Sequence, residues 1–389
     1  MNADNRWVTT AITGALFFIT IAAFLRPPLL PEIGRELQLS SLGLGALGSV
    51  FALGRLGADV PAGRISDRMA PGLMMAMSAS IVAVGSLMLA LSPTSPLAFV
   101  SVFVLGAGSA LTLTTAQAHF ATAPRARRGM AMSVFAGGLL TGQAIGPVLG
   151  GAIGSIGGWR VAIGFGAAIA LASAIPFLWI RGEAGRSSST HDVTGGGESS
   201  DDVAGRILTF IYLLPAVQFA IGAAMVQTLV PIVADEDLGL TVGFVGTALG
   251  VGGVARLVAA IGAGRVMDKV GRRAALLPGL FLQLVGLILF GFFGNLWAWW
   301  LSIVLVSLGS VSVNVGTAVL ADLSEGGRLG PRLGAFRFTG DAAFLVTPVL
   351  AGWLLDLSGR AVATAPLMLL TAVVLIGCFL YIPETRTVS

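Results

Sequence analysis

The sequence holds few ionisable side chains inside its long apolar runs, and those few are the first candidates for chemistry. Asp59 and Asp341 are the carboxylates deep inside such runs, and each follows an arginine by four positions, Arg55 and Arg337 respectively. A spacing of four places both members of a pair on one helix face. Because ionisable groups inside a membrane are costly and usually functional, we expect Asp59 or Asp341 to be a protonation site. The alternative is that each pair neutralises itself and only lowers the cost of inserting its helix.

Arginines at similar depth indicate the chemistry of a ligand. Arg55 and Arg256 hold equivalent positions in an internal repeat, and a guanidinium group offers a planar fork of donors that suits an anion. Arg256 has Ala260 where Arg55 has Asp59, so we predict that Arg256 is the freer charge and the more direct substrate contact. For Arg26, either the side chain faces the cavity or it snorkels outward to water. Polar residues expected near the cavity are Gln227, Gln143 and Asn314, with Gln117, Gln218 and Gln283 as further candidates.

The composition shows what surrounds these side chains. Of the 389 residues, 55% are hydrophobic and 11% are charged, against about 25% charged in a typical soluble domain. The mean hydropathy is +0.90. A water-soluble surface cannot be built from so few charges, so lipid must be the solvent for most of the chain.

Several classes of function are excluded by residue type. The single cysteine, Cys378, allows no intramolecular disulfide and no cysteine-rich metal site, and the two histidines have no ligand spacing. The sequence shows neither a nucleophile paired with a base nor a P-loop, so we expect no enzyme, no cofactor, no metal and no use of ATP. The pI of about 10.2 comes from arginines in short clusters between apolar runs, a pattern that does not indicate binding of nucleic acid.

Apolar runs of about 20 residues predict transmembrane helices. With the N-terminus in the cytoplasm, 16 cations fall in the cytoplasmic segments and three, Arg35, Arg160 and Arg360, fall outside. This imbalance predicts that both termini are cytoplasmic and that the multi-pass protein lies in the inner, or plasma, membrane. The twelve predicted spans are 8–30, 42–64, 73–92, 97–119, 130–154, 161–180, 207–230, 242–264, 274–294, 296–320, 333–355 and 362–382.

A polar segment divides the spans into two sets of six. Residues 182–206 are rich in Ser, Gly and acidic residues, which predicts a cytoplasmic linker between an N-terminal six-helix bundle, 1–181, and a C-terminal one, 207–389. The bundles align at a constant offset of 201 residues, which lays RLGADVPAGRISDR, from Arg55, on RLVAAIGAGRVMDK, from Arg256. Two parallel repeats of six helices around a cavity are typical of transporters that alternate access to a midplane site.

Three motifs resemble those of the major facilitator superfamily, and more closely those of its drug:proton antiporter families. The turn after span 2 is similar to the family's motif A, the turn after span 8 carries a fuller copy, and span 5 is similar to motif C of the exporters. These exporters usually carry an arginine in span 4, whereas residues 102–106 here contain none. The residues that carry the resemblance are Gly63, Asp67 and Arg68; Gly264, Asp268 and Arg272; and Gly142, Gly146, Pro147, Gly150 and Gly151.

The resemblance implies a fold and a gating mechanism. The fold is expected to be all-α, with twelve transmembrane helices in two pseudo-symmetric six-helix bundles. Asp67 is expected to contact the N-terminus of span 11, where unpaired N–H groups favour a carboxylate, and to latch the cytoplasmic side shut. Arg337 in span 11 is assigned to the same gating group. The glycines of span 5 are expected to form a hinge and a seal against span 8.

Two functions remain open at this point. The first is a proton-coupled secondary transporter that exports small amphipathic or drug-like solutes, and motif C supports it. The second is a transporter or exchanger of a small organic anion, which Arg26, Arg55 and Arg256 support. In either case we expect a monomer in the lipid bilayer, with a small-molecule substrate and protons as partners.

Overall fold

The computed structural model describes residues 3–66, 69–123, 128–179, 202–322 and 329–382. These residues are helical almost throughout, and no strand occurs among them. Asp67, Arg68 and residues 180–201, which hold most of the predicted linker, lie outside the described residues.

The N-terminal half, by which we mean residues 3–179, contains seven helices. They are α1 (Ala3–Phe24), α2 (Leu30–Leu37), α3 (Ser41–Ser66), α4 (Pro71–Ala90), α5 (Ser95–Ala121), α6 (Arg128–Ala172) and α7 (Ile175–Trp179). A 3-10 turn, Pro27–Leu29, joins α1 to α2. Prolines lie in the first turn of α2, α4 and α5, where the missing N–H would have no partner within the helix.

The C-terminal half, residues 202–382, contains seven further helices. They are α8 (Asp202–Ile221), α9 (Val230–Glu236), α10 (Val242–Lys269), α11 (Arg272–Phe292), α12 (Leu296–Gly309), α13 (Ser312–Asp322) and α14 (Leu329–Tyr381). A π-helical segment, Gly222–Leu229, joins α8 to α9. Such segments are rare and occur often at functional sites.

Both α6 and α14 are two helices joined at a glycine. Gly158 has a φ of 78° and Gly359 a φ of 79°, which are values that L side chains rarely adopt. The two positions are 201 residues apart, so the break occurs at the same place in each half. With these helices divided, the apolar helices of the described residues follow one another in the predicted order.

Length and composition identify the described helices as a membrane domain. Nine helical stretches are long and apolar enough to cross a membrane, including the two double helices, and Leu296–Gly309 is a shorter apolar helix. Large apolar side chains such as Leu369 (68% exposed) and Ile376 (58% exposed) cover the outside of the bundle, as lipid requires. The predicted all-α membrane fold is confirmed.

The helices alternate in direction, so the bundle has two ends. We call the end where α1 begins the terminal side, and the end where α2 and α9 lie the distal side. Within the halves, α1 packs against α6, α3 against α5, and α8 against α14. Between the halves, α6 packs against α10 and α14 packs against α3. These two contacts frame the centre of the bundle.

The two contacts between the halves repeat one geometry on the distal side. A Cβ atom at Gly151 would meet the backbone of Val242, where α10 begins, and a Cβ at Gly352 would meet the backbone of Ser41, where α3 begins. Each residue of the second pair lies 201 positions from its counterpart in the first. Two further contacts related by the same offset are Gly246 with Pro147 and Gly45 with Pro348. The halves therefore meet backbone to backbone at the distal side.

The glycine stripe of predicted span 5 does not form the expected seal against span 8. Gly142 and Gly146 pack against α1, and Gly150 packs against the backbone of Leu25, the residue that follows α1. The face of α6 that meets α10 is a different one, which carries Pro147 and Gly151. A stripe of small residues indicates that some helix approaches closely, but several apolar helices surround α6, so the stripe alone does not identify which one.

Candidate substrate cavity

A cavity of about 320 Å³ lies between the two halves at the centre of the bundle. Its wall is largely apolar with a few polar groups, as is usual for sites that bind small molecules. The N-terminal half contributes Leu16, Ile19, Thr20, Phe24, Phe51, Arg55, Leu140 and Gln143, among others. The C-terminal half contributes Gln218, Phe219, Val226, Gln227, Arg256 and Phe344, among others.

Two arginines bring positive charge to the cavity from opposite halves. Arg55 of α3 lies with its guanidinium 5.8 Å from the centre of the Phe344 ring. Arg256 of α10 donates from Nη1 to Oε1 of Gln143 on α6, at 3.3 Å. The Nε atoms of both arginines are buried without a hydrogen-bond partner. No Asp, Glu, Lys or His is among the described residues that line the cavity, so its wall carries the charge of two guanidinium groups.

The expectation that Arg256 is the freer of these two charges stays a prediction. Arg256 has a hydrogen bond to the neutral side chain of Gln143, whereas Arg55 contacts an aromatic face and interacts electrostatically with Asp59. Asp59 was expected to neutralise Arg55 from one turn away. No ion pair joins Arg55 and Asp59, both of which the structure describes, so the carboxylate leaves the guanidinium of Arg55 available.

Arg26 does not snorkel outward. It is 3% exposed, it donates from Nη2 to Oε1 of Gln227 at 2.7 Å, and its guanidinium lies 5.2 Å from the centre of the Phe51 ring. Gln227 lies 201 positions from Arg26 and lines the cavity. Gln227 lies in the π-helical segment, and Arg26 immediately precedes the 3-10 turn. The two segments therefore both depart from regular α-helix where these side chains meet.

Asp59 and Asp341 lie at the contact between α3 and α14 and do not line the cavity. Asp59 interacts electrostatically with Arg55 and also with Asp341 and Arg337 of the opposite half. Among the described residues no ion pair joins Asp341 to Arg337, and Arg337 instead donates to Oε1 of Gln117 at 2.8 Å. The alternative of two self-neutralised intrahelical pairs therefore does not describe this conformation.

Ion pairs and hydrogen bonds hold the distal side together. The three arginines predicted outside the membrane all lie here in ion pairs: Arg35 with Asp235 at 2.6 Å, Arg160 with Glu36 at 2.7 Å and Arg360 with Asp237 at 3.2 Å. The first of these pairs joins the two halves. On the terminal side, a Cβ added at Gly57, Gly137 or Gly262 would meet no atom within 4 Å. Among the described residues, the close backbone contacts between the halves lie in the distal part of the bundle, and a hydrogen bond from Arg337 to Gln117 joins the halves towards the terminal side.

A carboxylate from α14 completes the distal contact. Asp356 accepts hydrogen bonds from the backbone N–H of Ser41 at 3.0 Å and of Leu42 at 2.8 Å, the first residues of α3. The first N–H groups of a helix have no partner within it and carry partial positive charge, so a carboxylate there is stabilising. The sequence pattern did not single out Asp356, because a carboxylate at the end of an apolar run resembles an ordinary solvated residue.

Of the remaining predicted site residues, the structure describes some and leaves others outside the described residues. Gly63 and Gly264 lie near the ends of α3 and α10, and a Cβ at either would meet no atom within 4 Å. Arg272 begins α11 and approaches the sulfur of Met267 at 4.0 Å. The side chains of Asp268 and Asn314 lie outside the described residues, as do Asp67 and Arg68.

Comparison with known sequences identifies the family. The sequence profile of the Major Facilitator Superfamily matches residues 12–216 and 213–389, which together cover nearly the whole chain. The chain belongs to the Major Facilitator Superfamily. It is therefore a membrane transporter and not an enzyme, it lies in the lipid bilayer, and it binds a small-molecule substrate.

Individual Major Facilitator Superfamily proteins resemble the chain at low identity. Multidrug resistance protein 2 of Bacillus subtilis (strain 168) is 24% identical over 300 residues, which are 74% of this chain and 75% of that protein. A crystal structure of a bacterial homolog of the human lysosomal transporter Spinster, inward-facing and occupied, superposes with a TM-score of 0.80 at 14% identity, covering 98% and 97% of the two chains. The human organic anion transporter MFSD10 (TETRAN) gives 0.68 at 16% identity, covering 96% and 99%.

Three aromatic residues of this Major Facilitator Superfamily cavity were missed by the sequence reasoning. Phe51 and Phe344 lie under the guanidinium groups of Arg26 and Arg55, and Phe219 packs edge to face on Phe344. Phenylalanine is frequent throughout the chain, so no local signal separates a ring that lines a cavity from one that faces lipid.

Proposed function

We propose that the protein exports small amphipathic, drug-like solutes by alternating access, driven by protons. The observation that carries the proposal is the largely apolar cavity between two halves whose close backbone contacts, among the described residues, lie in the distal part of the bundle. A site shared by both halves changes its exposure when the halves rock against each other. The relationship to a multidrug resistance protein supports a drug-like substrate.

The orientation proposed from the sequence makes the terminal side cytoplasmic. Both termini and the 182–206 linker between the bundles 1–181 and 207–389 then lie in the cytoplasm, and the protein acts as a monomer in the plasma membrane. The distal ion pair Arg35–Asp235 then joins the two halves on the outer side, so we assign the structure to an inward-facing state. The superposition on an inward-facing neighbour supports this assignment.

The gating motifs are proposed to stabilise the outward-facing state, in which the cytoplasmic side is closed. When the cytoplasmic side closes, the carboxylate of Asp67 contacts the N-terminus of α14, and Arg68 and Arg337 join the same region. Asp268 and Arg272 occupy the corresponding turn of the other half. The hydrogen bond from Arg337 to Gln117 must then rearrange, because it bridges α14 and α5 in the inward-facing state.

Proton coupling is proposed to reside in Asp59 and Asp341. The two carboxylates belong to opposite halves, and each lies near arginines with which it forms no ion pair. A change in the packing of α3 against α14 alters the distance between them and their arginines, and therefore changes how readily each binds a proton. Their position beside the cavity wall separates the proton site from the substrate site.

The test is solute flux in proteoliposomes with and without a pH gradient. We expect uphill transport of an amphipathic solute in the wild type only when the gradient is present. Asp59→Asn and Asp341→Asn should each abolish gradient-driven accumulation while solute exchange across the membrane continues, because a neutral amide cannot carry the proton.

Glu32→Gln serves as a matched control, since this carboxylate lies on α2 at the distal side. Gradient-driven accumulation that persists in both aspartate variants would refute the proton site. Absence of flux for every solute would refute the proposed function itself.

A further inference from the structure

We propose that the substrate is an amphipathic anion whose headgroup binds between Arg55 and Arg256. This inference rests on the proposed function and specifies the charge of the transported solute, which a drug-like transporter leaves open. The two arginines come from α3 and α10, in opposite halves, and both line the cavity.

The hydrogen bonding of the two guanidinium groups is incomplete. The Nε atom of each is buried and has no partner. Arg256 has one bond, to Gln143, at the long distance of 3.3 Å, and Arg55 has an aromatic ring in place of an acceptor. A buried donor on a charged group that lacks an acceptor is costly, so a ligand that supplies acceptor oxygens to these guanidinium groups is stabilised.

The charge of the wall excludes the opposite ligand chemistry. A cation in the cavity would approach two guanidinium groups and would find no carboxylate among the described lining residues. A carboxylate or sulfonate instead presents two oxygens in the plane that the guanidinium fork matches. Gln143, which accepts a hydrogen bond from Arg256, positions that arginine towards the cavity.

The rest of the wall fits an apolar tail. Phe24 and Leu140 from the N-terminal half and Phe219 and Val226 from the C-terminal half line the same cavity. An apolar group attached to the anion would be removed from water against these side chains, at roughly 25 cal/mol for each Å² buried. A small inorganic anion would satisfy the arginines but leave this surface uncovered, so we expect both parts of the ligand to be needed.

The experiment uses four probes with purified full-length protein in nanodiscs at pH 7. They are 4-phenylbutyrate, its neutral amide, the corresponding primary amine, and acetate as the headgroup alone. We expect 4-phenylbutyrate to bind at least about tenfold more tightly than the amide or acetate, and the amine to bind most weakly. Equal or tighter binding of the amine would overturn the proposal, and so would equal binding of acetate and 4-phenylbutyrate.

The variants Arg55→Gln and Arg256→Gln assign the preference to the two side chains. Each should lower the affinity for 4-phenylbutyrate about tenfold or more and leave the affinity for the amide within about twofold. Arg55→Lys and Arg256→Lys keep the charge and should retain part of the preference. The control is Arg273→Gln, because Arg273 donates to the backbone of Phe379 and does not line the cavity.

The outcomes separate this inference from the proposed function. If the amide and the acid are bound and transported equally, the protein is an exporter without charge preference and the anion site is refuted. If Arg55→Gln and Arg256→Gln weaken all probes equally, or if unfolding temperatures show that the variants are destabilised and the Lys variants show no anion preference, the arginines are structural and the inference fails. If no probe is bound or transported, the proposed function fails together with the inference.

Discussion

The contact of α6 with α10 and the contact of α14 with α3 are two copies of one interface that differ in a contact at the start of the facing helix. In both, a glycine lies on the first residue of the facing helix, as Gly151 on Val242 and Gly352 on Ser41. One turn further along, the first copy has Ser155 and the second has Asp356. The hydroxyl of Ser155 donates to its own helix, whereas the carboxylate of Asp356 crosses to the N-terminus of α3.

The comparison separates two ways of closing one side of a transporter. Close backbone packing is common to both interfaces, and it requires a residue without a side chain, glycine, at the point of contact. The carboxylate adds a directional, charge-assisted contact to one interface only. In the other, the cap position Thr241 provides no side-chain hydrogen bond to the start of α10. At the start of the facing helix, the first copy is therefore held by packing, and the second by packing and an electrostatic contact.

The largest effect is expected from placing a bulky side chain at one of the glycines where the two halves meet backbone to backbone. Gly352→Leu would drive a side chain into the backbone of Ser41, and overpacking against a backbone costs about 1–3 kcal/mol or more. The population of the distally closed state should fall about 5- to 150-fold, with loss of transport. Spin labels at Leu91→Cys and Trp297→Cys, both exposed on the distal side, would report this as a longer inter-label distance.

Gly57→Leu is the matched control, because a Cβ at Gly57 meets no atom within 4 Å. An unchanged distance distribution in Gly352→Leu would show that the interface yields to a bulky side chain, and the shared packing would then not be the main closing contact.

A smaller effect is expected from removing the carboxylate. Asp356→Ala leaves the N–H groups of Ser41 and Leu42 without their acceptor, at a cost of about 1–2 kcal/mol. The same labels should show the closed population reduced about 5- to 30-fold. Ser155→Ala should change nothing measurable, because its hydroxyl bonds only its own helix. Equal effects of the two substitutions would remove the difference between the interfaces.

The smallest effect is expected from copying the carboxylate into the other interface. The side chain of Ser155 lies 3.6 Å from where a Cβ of Gly243 would be, at the start of α10. Ser155→Asp should therefore cap α10 and raise the closed population about two- to fivefold, consistent with a helix-terminal charge at an exposed position. In the Asp356→Ala background it should restore part of the lost closure. A decrease in the closed population would show that α10 cannot accept the cap.

The helices and their order were predictable, because in lipid the backbone N–H and C=O groups of each apolar run must form hydrogen bonds within that run. The repeat offset placed Arg26 level with Gln227 and Arg55 level with Arg256, and both members of the second pair line one cavity. The partners of these charges were not predictable. A spacing of four shows that Arg55 and Asp59 share a helix face, but which neighbour that face meets depends on the packing of α3 against α14.

The hydrogen bond between Arg26 and Gln227 joins two positions that the repeat makes equivalent. A residue that touches its own counterpart lies on the pseudo-twofold axis, where two identical copies would have to present the same side chain to each other. Two buried arginines would repel each other there, and two glutamines would remove the positively charged donor of the hydrogen bond. Only unequal copies can form this bond, so replacing either half of this chain by a duplicate of the other would remove it.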